Sequence, residues 1–246
     1  LVSNYGIDPE ITSYVNKLNF YVFPILNPDG YVFSRTSNDS LVRQWRKNRA
    51  PSNCSGYMPY RERICCYGVD LNRNYDFEFN QSNIRFNNPC NDEYQGPFPF
   101  SEPETRAVRD YLLGEELRDN VDLLISFHTH GEMIILPYNH KRNSYPGDYH
   151  DLQQLAQKAS EKIREDGSTD YQIGTAADMV GPATGGASDW IKNNTSIKYV
   201  YVIELPPDLS TSFAFQMKPH WLYPTFTELW RGLKVFINEI IQWREL

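Results

Sequence analysis

Two stretches constrain the fold more than any others. Val121–His128 (VDLLISFH) and Lys198–Asp208 (KYVYVIELPPD) carry near-continuous apolar runs rich in Val, Ile and Tyr. A strand that faces water on one side alternates apolar and polar residues, whereas a strand covered on both faces does not. Both runs therefore predict central strands of a sheet sandwiched between helices. Amphipathic segments lie around them. Ser101–Leu117 has Ser101 as its predicted N-cap, with Glu104 three residues on and Pro103 in the first turn. Asp151–Gly167 is predicted to be a helix stopped by Gly167, and Tyr223–Trp243 a long terminal helix. Lys17–Gly30, ending in the turn residues Asn-Pro-Asp-Gly, and Met133–Tyr138 are predicted strands. Leu1–Ile11 is expected to be a helix end and a loop. Tyr31–Phe100 lacks periodicity and holds all four cysteines, so a long, disulfide-stapled loop region is expected there. The fold class is thus α/β: a mixed, largely parallel twisted sheet with helices on both faces. With no repeat or linker visible, residues 1–246 are expected to form a single domain.

Charge and cysteine content narrow the function classes. The net charge of −7 argues against a nucleic-acid surface, which needs clustered Lys and Arg to neutralise phosphates. No apolar run approaches the ~18 residues of a membrane span, and membrane contact is not expected. Cys54, Cys65, Cys66 and Cys90 could be free thiols, a zinc site or two disulfides. The even count suggests two disulfides, with three connectivities open. Asn-x-Ser/Thr sequons begin at Asn38, Asn53, Asn80, Asn193 and Asn194, and beside paired cysteines they point to a secreted glycoprotein.

Three predicted strand ends carry polar groups: Asn27, His128 and Glu204. In open α/β sheets ligands bind beyond the carboxyl ends of strands. A carboxylate within YVYVIEL is costly unless it has a partner or a task, so Glu204 is either paired to Arg or Lys or functional. His128 is either a metal ligand or a satisfied core histidine. Two further motifs, RQWRKNR (Arg43–Arg49) and GVDLNRNYD (Gly68–Asp76), supply Arg43, Arg46, Asn72 and Arg73. Arginine recognises carboxylates bidentately and keeps its charge, so Asn72-Arg73 could clamp a free carboxylate. Surface salt bridges are the plainer alternative.

NPDG, WRKNR, GVDLNRNYD, LLISFHTHGE, GGASDW and YVIEL occur in the order and approximate spacing of one family. The chain resembles the zinc carboxypeptidases of the pancreatic carboxypeptidase A/B type across nearly its whole length. The resemblance implies that His128 is a zinc ligand and that Glu204 is the general base for the zinc-activated water. It implies that Arg46 stabilises the oxyanion. Asn72 and Arg73 are similar to the residues that hold the substrate's C-terminal carboxylate, Arg43 to a further carboxylate contact, and His130 and Ser188 to residues that line substrate subsites. It also implies a Cys66–Cys90 disulfide. Cys54 and Cys65 remain, and would pair within an insertion that the pancreatic enzymes lack. The implied partners are peptide or protein C-termini, the implied cofactor is one Zn2+, and a monomer is the expected state.

The sequence departs from the family at three points. The His-x-x-Glu motif that supplies the other two zinc ligands is not found: of His128, His130, His140, His150 and His220, none has Glu three residues on. The chain is accordingly expected to be a fragment of a longer enzyme, with an N-terminal part of the domain and its central strand missing. It is expected to be inactive alone. Gly181 stands where the family usually has a tyrosine that covers the bound substrate. Ser188 aligns with the pocket position that is apolar in A-type and Asp in B-type enzymes, so neutral C-terminal residues are expected. The alternative is an inactive, secreted pseudo-carboxypeptidase that binds peptide C-termini.

Overall fold

The computed structural model describes residues 1–57, 63–79, 82–165, 169–210 and 215–245. In chain order the elements are α1 (Pro9–Lys17), α2 (Pro28–Thr36), β1 (Asn53–Tyr57), β2 (Arg63–Cys66), α3 (Ile84–Asn87) and α4 (Pro103–Leu112). They continue with β3 (Leu123–Thr129), β4 (Met133–Ile135), α5 (Tyr149–Arg164), β5 (Gln172–Gly174), α6 (Ala176–Met179), α7 (Ala187–Asn194), β6 (Tyr199–Leu205) and α8 (Pro219–Arg244). Short 3-10 turns cover Val2–Asn4, Val42–Gln44 and Leu71–Arg73.

The main sheet has the order β3-β6-β4-β5. β6 runs parallel to β3 and antiparallel to β4, and β4 runs parallel to β5. It is a mixed α/β sheet, as the apolar runs predict, but among the described residues only β6 is the central, doubly covered strand. β3 lies at the edge and its Phe127 is exposed, because no further strand pairs with its outer side there. Alternate residues of β6 face opposite layers. Tyr199, Tyr201 and Ile203 pack with α5 and α8 through Leu152, Leu155, Ile163, Leu229 and Phe236. Val200 packs on the other side with Trp190, Ile191, Leu112 and Tyr75. Full burial of each such side chain contributes roughly 1.5–3 kcal/mol, and this strand therefore contributes much of the driving force for folding. α5 and α8 approach closely at Gly232, where a Cβ would lie 2.8 Å from Ile163 Cδ1.

The cysteine-bearing region is more ordered than its sequence suggests. β1 and β2 form an antiparallel hairpin. Cys54–Cys65 ties the hairpin together, and Cys66–Cys90 ties it to the segment after α3. Both implied pairings are present, and no cysteine is free among the described residues.

Several local expectations are corrected. Lys17–Gly30 is not a strand: α1 ends at Lys17, residues 18–27 lie outside any ladder, and α2 starts at Pro28. Apolar β-rich sequence forms a strand only with a hydrogen-bonding partner, and this ribbon has none among the described residues. Leu18 packs on the core and Tyr21 and Phe23 meet Tyr111, but most of the ribbon remains in water, with Val22 78% exposed and Phe23 48%. Asn27 consequently ends no strand. It caps α2 by accepting from Gly30 N, and its Nδ2 donates to the Arg46 and Lys47 carbonyls. The first residues hold a helix start, with Asp8 accepting from the Glu10 and Ile11 amides as the α1 N-cap. Pro103 at N1 places the α4 cap at Glu102, and Ser101 instead accepts from Asn74 Nδ2. α8 begins at Pro219 and runs through Pro224. α5 is helical to Arg164, and the predicted stop at Gly167 lies outside the described residues, as does the sequon asparagine Asn80.

Candidate active site

The polar strand ends meet where β3 and β6 run side by side. Their parallel register sets His128 opposite Glu204. Burial, reinforced by the Arg46 charge, lowers the His128 pKa to about 4. The imidazole is therefore neutral at physiological pH, the form that ligates metals. Its Nε2 lies 3.1 Å from Ser126 Oγ. Glu204 makes no ion pair among the described residues, and its Oε2 is buried without a hydrogen-bond partner there. Burial raises its pKa to about 7, partly offset by the Arg46 and Arg73 charges. An unpartnered carboxylate with a pKa near 7 is suited to accepting and returning a proton. Among the described residues no three His, Cys, Asp or Glu side chains converge on a metal position. These residues alone therefore do not make up the donor set of a tetrahedral zinc site, which needs three protein ligands and an open position.

Arg46 and Arg73 are each held by a carboxylate. Arg46 Nη2 donates to Asp70 Oδ2 at 2.6 Å. The Asp70 charge raises the Arg46 pKa further, and the guanidinium stays cationic. Asp70 Oδ1 also accepts from Asn72 N at 3.0 Å, which fixes the turn that carries Asn72 and Arg73. Arg73 Nη2 donates to Glu93 Oε1 at 2.7 Å, and Nη1 to the Asn72 carbonyl at 2.8 Å. Glu93 also pairs with Arg85. Burial pushes the Glu93 pKa up, but the two arginines outweigh it and leave it below the usual range. The Nε atoms of Arg46 and Arg73 are both buried without partners. A buried donor on a cation is costly to leave unpaired, and two of them, on arginines whose charges act on Glu204, favour an anion here.

A glycine-rich loop joins this turn to α7. Tyr75 N donates to Gly185 O, Gly185 N to Phe77 O, and Ala187 N to Asn72 Oδ1, at 2.9–3.0 Å. Gly185 has φ +68°, and a Cβ there would lie 2.0 Å from the Arg73 carbonyl oxygen, so only glycine fits. Ser188 is buried in the first turn of α7, and Asn139 Nδ2 lies 3.4 Å from its Oγ. Neighbouring Asp189 accepts from the Asn139 and His140 amides and from Asn139 Nδ2. It is structural, and no free acid is left beside Ser188. His130 packs edge-on against Phe215, with its Nδ1 buried and unpartnered. Arg43 lies in the Val42–Gln44 turn, one turn of chain from Arg46. Gly181 has φ +138° and open space around it, so its backbone itself disfavours a side chain there.

A family profile described as zinc carboxypeptidase matches residues 1–232. The chain belongs to the zinc carboxypeptidase family. It is 34% identical over 240 residues to carboxypeptidase A2 of Rattus norvegicus, covering 98% of this chain and 52% of the relative. It is also 34% identical to carboxypeptidase B of Astacus astacus, covering 96% and 71%. The chain thus spans about half the length of the first of these curated relatives. Among solved structures, thrombin-activatable fibrinolysis inhibitor superposes with a TM-score of 0.81 at 27% identity, over 97% of this chain and 57% of that one. Carboxypeptidase A of Helicoverpa armigera gives 0.70 at 30% identity, over 87% and 49%. The α/β carboxypeptidase fold is therefore shared, and zinc is the family's metal.

Sequence reasoning singled out the arginines but passed over the residues that hold them. Asp70 lies inside the quoted GVDLNRNYD motif, and its position two residues before Asn72 was the available signal. Glu93 and Asn139 had none, because their partners are distant in sequence.

Proposed function

We propose that the protein of which this chain is part is an extracellular zinc exopeptidase that removes C-terminal residues from peptides. The single observation that carries the reading is the pair of carboxylate-anchored arginines, Arg46 and Arg73, whose Nε donors are buried without partners and whose charges act on the buried Glu204 carboxylate. Arg73, with Asn72, binds the free carboxylate of the substrate, which confines cleavage to the chain end. Arg43 adds a contact on the approach. Arg46 supplies positive charge for the developing oxyanion. Glu204 takes up and returns the proton. His128 contributes one ligand to a zinc ion, and the remaining two come from residues outside these 246. β3 fits this division, since its outer edge carries no ladder among the described residues. Neutral side chains are preferred, because Ser188 offers a hydroxyl and no charge to the pocket. His130 lines the next subsite. The two disulfides suit an oxidising compartment outside the cell.

The test compares a peptide acid with the same peptide as a C-terminal amide, using the natural protein. The reading expects stepwise release of free amino acids from the acid alone, and loss of that discrimination in Arg73→Ala. Binding of the acid without cleavage would favour an inactive receptor for peptide C-termini. Equal cleavage of acid and amide would remove the clamp.

A further inference from the structure

Four sequon asparagines lie in the described residues, and their surroundings differ. Asn53 sits on β1 beside the Cys54–Cys65 bridge. Its Oδ1 accepts from Ser55 N and Oγ at 2.9 and 2.6 Å, and its Nδ2 donates to Tyr94 Oη at 3.3 Å. Tyr94 is buried, so a group attached to Nδ2 would have to displace a core side chain. Asn194 is exposed as well, but its Nδ2 donates to the Trp190 carbonyl at 2.9 Å, which lays the side chain back along α7. Asn38 and Asn193 are different. Asn38 lies exposed in the irregular segment after α2, and Asn193 lies exposed in the last turn of α7. Neither side chain makes a hydrogen bond among the described residues. The buried part of α7 is Ser188–Ile191, and Asn193 lies beyond it.

We propose that Asn38 and Asn193 carry N-linked oligosaccharides and that Asn53 and Asn194 do not. The inference rests on the extracellular reading above. The transfer forms a bond from the asparagine Nδ2 to the anomeric carbon of an oligosaccharide. It breaks that carbon's bond to the diphosphate of a lipid-linked donor, and releases the lipid diphosphate and a proton. Addition precedes folding, so the folded structure acts as a filter. A chain modified at Asn53 must fit a sugar against buried Tyr94, next to a disulfide still to be formed. A chain modified at Asn38 or Asn193 loses nothing and gains a hydrated surface group.

The experiment uses the full protein secreted by a eukaryotic cell line. Amidase removal of the glycans in 18O-water converts each modified asparagine to labelled aspartate, and peptide mapping locates the label. Among these four asparagines the expected result is label at positions 38 and 193 only. An Asn38→Gln/Asn193→Gln double variant should still be secreted, with no label appearing at 53 or 194. Label at Asn53 or Asn194, or secreted protein with label at neither 38 nor 193, would overturn the assignment while leaving secretion intact. Protein that stays in the cell unlabelled would overturn the extracellular reading along with it.

Discussion

Gly185→Ala should damage both the fold and the clamp, although residue 185 would touch no substrate. At φ +68° a Cβ costs about 1–2 kcal/mol in backbone strain alone. The new methyl would lie 2.0 Å from the Arg73 carbonyl oxygen and 2.7 Å from its carbon. Real contacts of this kind do not fall below 3.0 Å, so the Asn72–Arg73 turn must retreat by roughly 1 Å. Retreat breaks the paired Tyr75–Gly185–Phe77 backbone bonds. Together these effects predict a loss of ~3 kcal/mol or more, a fall in Tm of about 6–12 °C for a domain of this size. A displacement of that size at a positioning group can cost on the order of 100-fold in turnover, and it should weaken binding of a peptide acid as well. Gly186→Ala is the internal control. Gly186 has φ −74°, and the nearest atom to its added Cβ is 3.8 Å away, so its change should cost only about 1 kcal/mol, the difference between Gly and Ala at the α7 N-cap. Urea unfolding and calorimetric titration with a peptide acid read both quantities. If Gly185→Ala matched Gly186→Ala in stability and affinity, the reasoning from loop geometry to clamp would be refuted.

Two further outcomes follow from the charges. Glu93 has a lowered pKa in the folded chain, so the stability it contributes is present above its unfolded value near 4.5 and is lost as pH falls through the folded value. The stability gap between the parent and Glu93→Gln, followed by urea unfolding from about pH 7 to about pH 3, should close towards the acid end; a gap that widened there would contradict the pairing with Arg73 and Arg85. In the complete enzyme, Ser188→Asp should raise kcat/KM for C-terminal Lys or Arg over neutral residues by tenfold or more, as expected of about 1.5–3 kcal/mol from a charged hydrogen bond. An unchanged preference would mean that Ser188 does not face the substrate side chain.

The legible parts of the sequence were those written in local pattern. β6 is legible because both its faces are covered, whereas β3 carries a similar apolar run yet lies at the sheet edge among the described residues with Phe127 exposed; His128 and Glu204 stand out because they end these runs. Ribbon 18–27 has the same composition yet forms no strand, because strand formation depends on a neighbour that pattern cannot supply. Ser101 looked like a helix cap, but its hydroxyl is taken by Asn74 from 27 residues away. The same holds for the site. Arg46 and Arg73 were visible as residue types, whereas Asp70 and Glu93, which aim them, were found only through contacts 24 and 20 residues away in sequence. Gly185 is in plain view within GGASDW, but its indispensability comes from the Arg73 carbonyl against which it packs.

Metal content tests the central claim most directly. The protein is purified from its natural source without chelators, and zinc is quantified per intact chain beside a His128→Ala variant expressed at full length. The account predicts about one zinc per chain in the parent and near-complete loss in the variant. A zinc-free parent, or a His128→Ala protein that keeps its zinc, would contradict the assignment of the β3 end as part of a metal centre.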